Sequence, residues 1–119
     1  MSHINLFSGL TAAPDERFDT RFSGSAVRIE RIVSWGQSSP PGFWCDQDED
    51  EWVAVLSGKA RLSLLDPDEE VLLAPGDWLW IAARRKHRIE WTLPDAATLW
   101  LAVFVREQDA EVAKTEVES

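Results

Sequence analysis

The sequence predicts an all-β protein of one domain, a sandwich, jelly roll or barrel. Three observations carry this. Gly, Pro and Asp punctuate the chain at short intervals, the runs between them are rich in Val, Ile, Leu and Trp, and no segment from Val27 to Val105 shows a helical apolar period. The length of 119 residues suits a single core, and a hydrophobic content of 45% can fill it. Seven tryptophans supply much of that bulk, and most of them belong in the core or at a subunit contact.

The elements follow in order. Residues 1–26 form an N-terminal segment that packs on the barrel as strand or loop, and Asp15 to Ser25, being polar, is a loop or an edge. Residues 27–105 form the barrel. Val27 to Ser34 is a strand with Val27, Ile29 and Val33 on one face. Pro40, Pro41 and Gly42 break the chain, and Phe43 to Leu56 is extended. Ser57-Gly58-Lys59 turns it into a hairpin with Ala60 to Leu65. Asp66-Pro67-Asp68 is the next turn, Val71 to Leu73 a short strand, and Ala74-Pro75-Gly76-Asp77 another turn. Trp78 to Ile81, His87 to Thr92 and Thr98 to Val105 complete the set. Residues 106–119 are charged, nearly free of bulky apolar side chains, and predicted to be a flexible tail.

Charge and cysteine content exclude several classes. A net charge of −9 opposes binding to nucleic acid and to anionic lipid. No apolar run approaches the roughly 20 residues that span a bilayer. Met1 to Leu10 lack a basic start followed by an apolar block, so no signal peptide is expected. Cys45 is the single cysteine, which excludes an internal disulfide and fits a cytoplasmic protein.

Two stretches carry chemistry. One runs from Phe43 through Glu51 and Trp52 to Gly58, the other from Gly76 to His87. Strand parity lets Cys45, Gln47 and Glu51 share a face if the strand stays regular, with Val53 and Val55 continuing it. His87, Ile89 and Trp91 share a face of their own strand, so Trp91 is expected to line the lumen beside His87. Trp78 and Trp80 share one face and Leu79 and Ile81 the other. One side then fills the lumen and the other is covered by a second sheet or a partner subunit, with Trp52 and Trp100 joining the covered side.

Glu51 and Gly58 stand seven residues apart, and Gly76 and His87 eleven. In these spacings, in their order, and in the stretch from Ile29 to Val105, the chain resembles the cupin superfamily. The run Asp46 to Trp52 is similar to a variant in small single-domain cupins of the RmlC-like kind. The resemblance implies a double-stranded β-helix, a jelly-roll barrel, with a site in its lumen. It implies a homodimer as well, since small cupins commonly pair. Metal-holding cupins use a His-x-His pair, a glutamate and a later histidine, and those positions fall here on Cys45, Gln47, Glu51 and His87. Both histidines of the first motif are absent. The second motif's proline and glycine fall on Ala82 and Arg84, and its usual asparagine on Trp91.

Each candidate has a functional and a plain reading. Gln47, Glu51 and His87 form either a divalent-metal site for Fe, Ni, Zn or Mn, or a hydrogen-bonded polar cluster at the barrel mouth. Cys45 is a ligand, a reactive thiol, or a small buried hydrophobe beside an acidic run that discourages thiolate. Asp46, Asp48, Glu49 and Asp50 lack the spacing of a calcium loop and are expected to be a solvated acidic loop. Arg84 to Arg88 either guide an anionic ligand or balance that acidic loop. Two functions remain open. One is a small-molecule-binding protein whose lumen site rests on Glu51 and His87, with Cys45, Gln47 and Trp91 around the ligand. The other is a metal-dependent oxygenase, isomerase or lyase acting on a small organic acid or sugar.

Overall fold

The structure, a computed structural model, describes residues 3–106. The expected charged tail therefore lies, from residue 107 onward, outside the described residues. Eight strands follow one another: β1 (Arg17–Ser23), β2 (Val27–Ser34), β3 (Asp50–Ser57), β4 (Ala60–Leu64), β5 (Glu69–Leu73), β6 (Trp78–Ile81), β7 (His87–Thr92) and β8 (Thr98–Val105). No helix occurs among the described residues. A five-stranded sheet has the order β1-β2-β8-β3-β6 and a three-stranded sheet the order β5-β4-β7, with every pairing antiparallel.

Residues directly opposite across strands share a face, so the register defines what each sheet turns inward. In the larger sheet one row runs Phe18, Ile32, Trp100, Val55 and another runs Arg28, Phe104, Glu51, Ile81. The smaller sheet contributes Leu62 opposite both Val71 and Ile89, and Leu64 opposite His87. Val53, Val55, Leu62, Leu64, Leu73, Ile81, Trp100 and Ala102 interlock between the sheets as one buried cluster. The apolar core reaches up to the site residues, since Ile81 and Phe104 stand opposite Glu51 and Leu64 opposite His87.

A corner in the chain joins the two sheets. Cys45 pairs with His87 as an isolated antiparallel bridge, its N–H donating to the His87 carbonyl at 2.7 Å and its carbonyl accepting at 3.1 Å. Five residues later the same segment enters β3 in the other sheet. The Arg84 N–H donates to the Gln47 carbonyl at 2.7 Å, and the Ala83 N–H donates to the buried Asp50 carboxylate at 2.7 Å. Strand structure therefore begins at Asp50, not at Phe43.

Two sequence expectations change with this geometry, and for Asp15 to Ser25 it takes the edge alternative over the loop. Trp100 is 2% exposed and belongs to the core, where its Nε1 donates to Ser34 Oγ at 3.1 Å; it does not join the outer face with Trp52. The acidic run divides: Asp46 and Asp48 are exposed, whereas Glu49 pairs with Arg28 at 2.7 Å and Asp50 is buried. Asp15 to Ser25 supplies the edge strand β1. Arg31, 4% exposed, fastens it by donating to Asp19 at 2.7 Å and to the backbone carbonyls of Leu6 and Ser8. That guanidinium holds the Asp19 carboxyl below its ordinary range.

The two motif glycines differ in what they prevent. Both have positive φ, +84° at Gly58 and +92° at Gly76. A Cβ at Gly58 would lie 2.5 Å from Thr98 Cα and 2.7 Å from the Ala97 carbonyl oxygen, while one at Gly76 meets nothing within 4 Å. Gly58→Ala must therefore displace backbone as well as strain it, and should cost about 2–4 kcal/mol, against about 1 kcal/mol for Gly76→Ala. Urea denaturation of the two variants checks this; equal losses would contradict the close approach of Gly58 to β8.

Candidate functional site

The corner and β7 deliver four of the five predicted residues to one place. Gln47 Nε2 donates to Glu51 Oε1 at 3.1 Å, and the Cys45 thiol stands 3.7 Å from Gln47 Oε1. His87 Nε2 faces Glu51 Oε1 across 3.6 Å, beyond direct hydrogen-bond length. The fifth, Trp91, is not among them. The β4–β7 register shifts between Ile89 and Trp91, so Ile89 opposes the buried Leu62 while Trp91 opposes the exposed Arg61. This bulge at Glu90 turns Trp91 out of the lumen, a reversal that strand parity cannot anticipate.

A chamber of about 380 Å³ opens above the cluster, and a smaller recess of about 70 Å³ continues toward the core. Glu51, His87, Glu16, Phe18, Ile32 and Ile89 border both, so the polar pair sits where chamber meets recess. Phe43, Arg28, Glu30 and Arg88 form more of the chamber wall, and Trp100 and Leu62 line the recess. Glu16, Arg28 and Glu30 had no motif to mark them. Glu30 and Arg28 lie on the inward face of β2, and that face alternation is the only sequence signal that could have found them.

Burial governs the electrostatics. Glu51 and His87 are each 7% exposed. Burial pushes Glu51 up to about 7, opposed by the Gln47 hydrogen bond. Burial lowers His87, and the hydrogen bond from its ring to the Arg85 carbonyl works against that. The Arg85 oxygen, 3.0 Å from Nδ1, can only accept, so Nδ1 carries the proton and the neutral ring presents the Nε2 lone pair to the lumen. Burial also raises the Cys45 thiol, helped by the Glu51 and Asp46 charges, which disfavours thiolate. Glu16 is raised by burial, partly offset by its hydrogen bond from Ser34.

The arginine stretch is engaged structurally. Arg84 pairs with Asp46 at 3.1 Å, Arg85 donates to the Leu65 and Pro67 carbonyls and to Glu69, and Arg88 pairs with Glu90 at 3.2 Å.

The donor set does not fit a resident transition metal. Among the described residues no group of three or more His, Cys, Asp or Glu side chains converges as ligands would. Glu51 and His87 are two strong donors, and Gln47 turns its amide nitrogen toward Glu51.

The buried carboxyl has a consequence for stability. Its folded value lies above its ordinary 4.5, so the native state holds the Glu51 proton more tightly than the unfolded chain does. The stability this proton contributes is complete below about pH 4.5 and is lost as pH rises to about 7. Glu51→Gln removes that loss. The variant should match the parent near pH 4 and exceed it near pH 8 by about 1–3 kcal/mol, read from urea denaturation at the two pH values. An offset that does not change with pH would contradict the burial of a carboxyl here.

Comparison with known proteins agrees with this architecture. The family model for the cupin domain matches residues 32–104. A protein of Ralstonia eutropha JMP134, provisionally named a mannose-6-phosphate isomerase, is 42% identical. The similarity covers 90% of this chain and 100% of that one, with a TM-score of 0.85. A cupin superfamily protein of Desulfitobacterium hafniense DCB-2 superposes with a TM-score of 0.71 over 90% of this chain and 94% of its own, at 17% identity. An RmlC-like cupin of Methanocaldococcus jannaschii with a double-stranded β-helix fold does so with 0.63, over 82% and 86%, at 15% identity. Among proteins of curated function none matches. With most of its barrel matched by the family model, and a solved structure 42% identical over nine-tenths of its length, the chain belongs to the cupin family.

Proposed function

We propose that this protein is a small-molecule-binding cupin whose lumen site is built on Glu51 and His87. Gln47 braces Glu51, and Cys45 stands beside it as a neutral thiol. The observation that carries this reading is the placement of two buried polar side chains at the junction of an open chamber and an apolar recess. Burying them there is costly unless something polar meets them. The chamber volume of about 380 Å³ suits a small organic molecule.

The metal-dependent oxygenase, isomerase or lyase is the weaker reading, because the donor set falls short of what such a centre uses. The name of the Ralstonia relative points to a phosphorylated sugar. A phosphate calls for unengaged cations, and the two arginines of the chamber wall, Arg28 and Arg88, are both committed to glutamates. A single cysteine and a net charge of −9 fit a cytoplasmic protein, and no helix among the described residues is long and apolar enough to cross a membrane.

We further propose a homodimer that covers the outer face of β3 and β6. There Trp52 and Trp78 lie 5.9 Å apart, and Trp78, on the edge strand, is 45% exposed. Light scattering at micromolar concentration should give twice the chain mass for the parent and the chain mass for Trp78→Lys; a monomeric parent would contradict the pairing.

Ligand-observed NMR against a panel of small polar and aromatic molecules tests the binding reading. Ile89 borders both cavities, so Ile89→Trp should fill them. Hits on the parent should vanish in that variant. Hits that survive it, or a panel without hits, would remove the lumen as the binding site.

A further inference from the structure

The donors and acceptors of the lumen are unequally engaged. Arg28 is tied to Glu30 and Glu49, with its guanidinium 4.0 Å from the centre of the Phe104 ring. Arg88 pairs with Glu90 and donates to the backbone carbonyls of Ser39, Pro40 and Phe43. The Gln47 amide N–H is directed to Glu51, and the Cys45 thiol to Gln47. Among the described residues the wall of the chamber therefore offers no uncommitted cation.

The acceptors are in the opposite condition. His87 is more than nine-tenths buried, its Nδ1 proton is fixed on the Arg85 carbonyl, and its Nε2 lone pair has no hydrogen-bond partner among the described residues. Glu51, equally buried, accepts among the described residues only from the Gln47 amide. Among the described residues Glu16 accepts only from the Ser34 hydroxyl and has no cationic partner. These three border one chamber, whose remaining wall includes Phe18, Phe43, Ile32 and Ile89. A ligand that satisfies them donates several hydrogen bonds and presents an apolar body, and a positive charge on it would hold the two carboxyls ionised.

We propose that the lumen takes a small primary ammonium compound with an aromatic or alkyl body. This rests on the reading of the lumen as a ligand site and names the class of ligand. An ammonium group brings three N–H donors to three underused acceptors, and its charge is balanced by carboxyl groups that have no Lys or Arg ion-pair partner among the described residues. The faces of Phe18 and Phe43, both about half exposed at the mouth, favour a cation on its way in. A carboxylate or phosphate would instead meet Glu16 and Glu51 with no free guanidinium to offset them. A neutral alcohol brings a single donor.

Three probes that share a phenylethyl body separate these cases: phenethylammonium, phenethyl alcohol and hydrocinnamate. Isothermal titration calorimetry on the full chain near pH 7 should find phenethylammonium bound at least about tenfold more tightly than either of the others. Glu16→Gln should weaken phenethylammonium about tenfold and change phenethyl alcohol less than about twofold, the alcohol serving as the check that the barrel is intact. Glu51→Gln provides the same comparison if Glu16→Gln fails to fold. Hydrocinnamate or the alcohol binding as tightly as the amine would overturn the proposal while leaving the lumen a ligand site. Loss of amine preference in neither variant would overturn it too. No binding by any of the three would also overturn it, and the wider panel with Ile89→Trp then decides the lumen reading by itself.

Discussion

The backbone pairing of Cys45 with His87 is the constraint on which the candidate site depends. It holds residues 43–49 against β7 in one sheet, while Asp50 onward runs into β3 of the other. A single continuous segment thus crosses the gap between the sheets. The crossing brings Gln47 and Glu51, four residues apart in the chain, against a histidine thirty-six residues beyond Glu51. The Ala83 amide on Asp50 and the Arg84 amide on the Gln47 carbonyl lock the same corner from the loop that leads to His87. Buried backbone groups need partners, and these partners leave few other paths for the chain.

Energetics at the site run against stability. A carboxyl raised to about 7 by burial and an imidazole lowered by burial are both poorly accommodated as charges. Replacing such groups with apolar side chains of similar volume often stabilises a protein, so their presence at the junction of two cavities speaks for use and not for folding. The apolar cluster of Val53, Val55, Leu62, Leu64 and Trp100 supplies the stability on which they depend. Arg31, by contrast, is a buried charge with a structural duty, since its partners are Asp19 and the carbonyls of the N-terminal segment.

Much of the fold was legible because strand boundaries are marked by turn residues. The strands over Val27–Ser34, Trp78–Ile81, His87–Thr92 and Thr98–Val105 lie where glycine, proline and aspartate bracket apolar runs. Cys45, Gln47, Glu51 and His87 were legible from motif spacing. Trp91 was not, because one extra residue at Glu90 inverts parity and sequence alone carries no mark of a bulge there. Trp100 was not, because both faces of β8 are apolar and alternation cannot say which is inside. Asp50 was hidden within a run of acids, where only the loop arriving from β6 distinguishes a buried acceptor from its solvated neighbours. Glu16 was hidden because it precedes an edge strand whose polarity resembles a loop.

The state of the His87 ring tests this account most directly. The chain has two histidines, so the signals of His87 separate readily from those of His3. Long-range proton–nitrogen NMR should show a neutral ring near pH 7 with its proton on Nδ1 and a bare Nε2 facing Glu51, titrating below the ordinary histidine range. An imidazolium near pH 7, or a neutral ring with its proton on Nε2, would contradict it, because the lumen would then present a donor where the geometry places a buried acceptor.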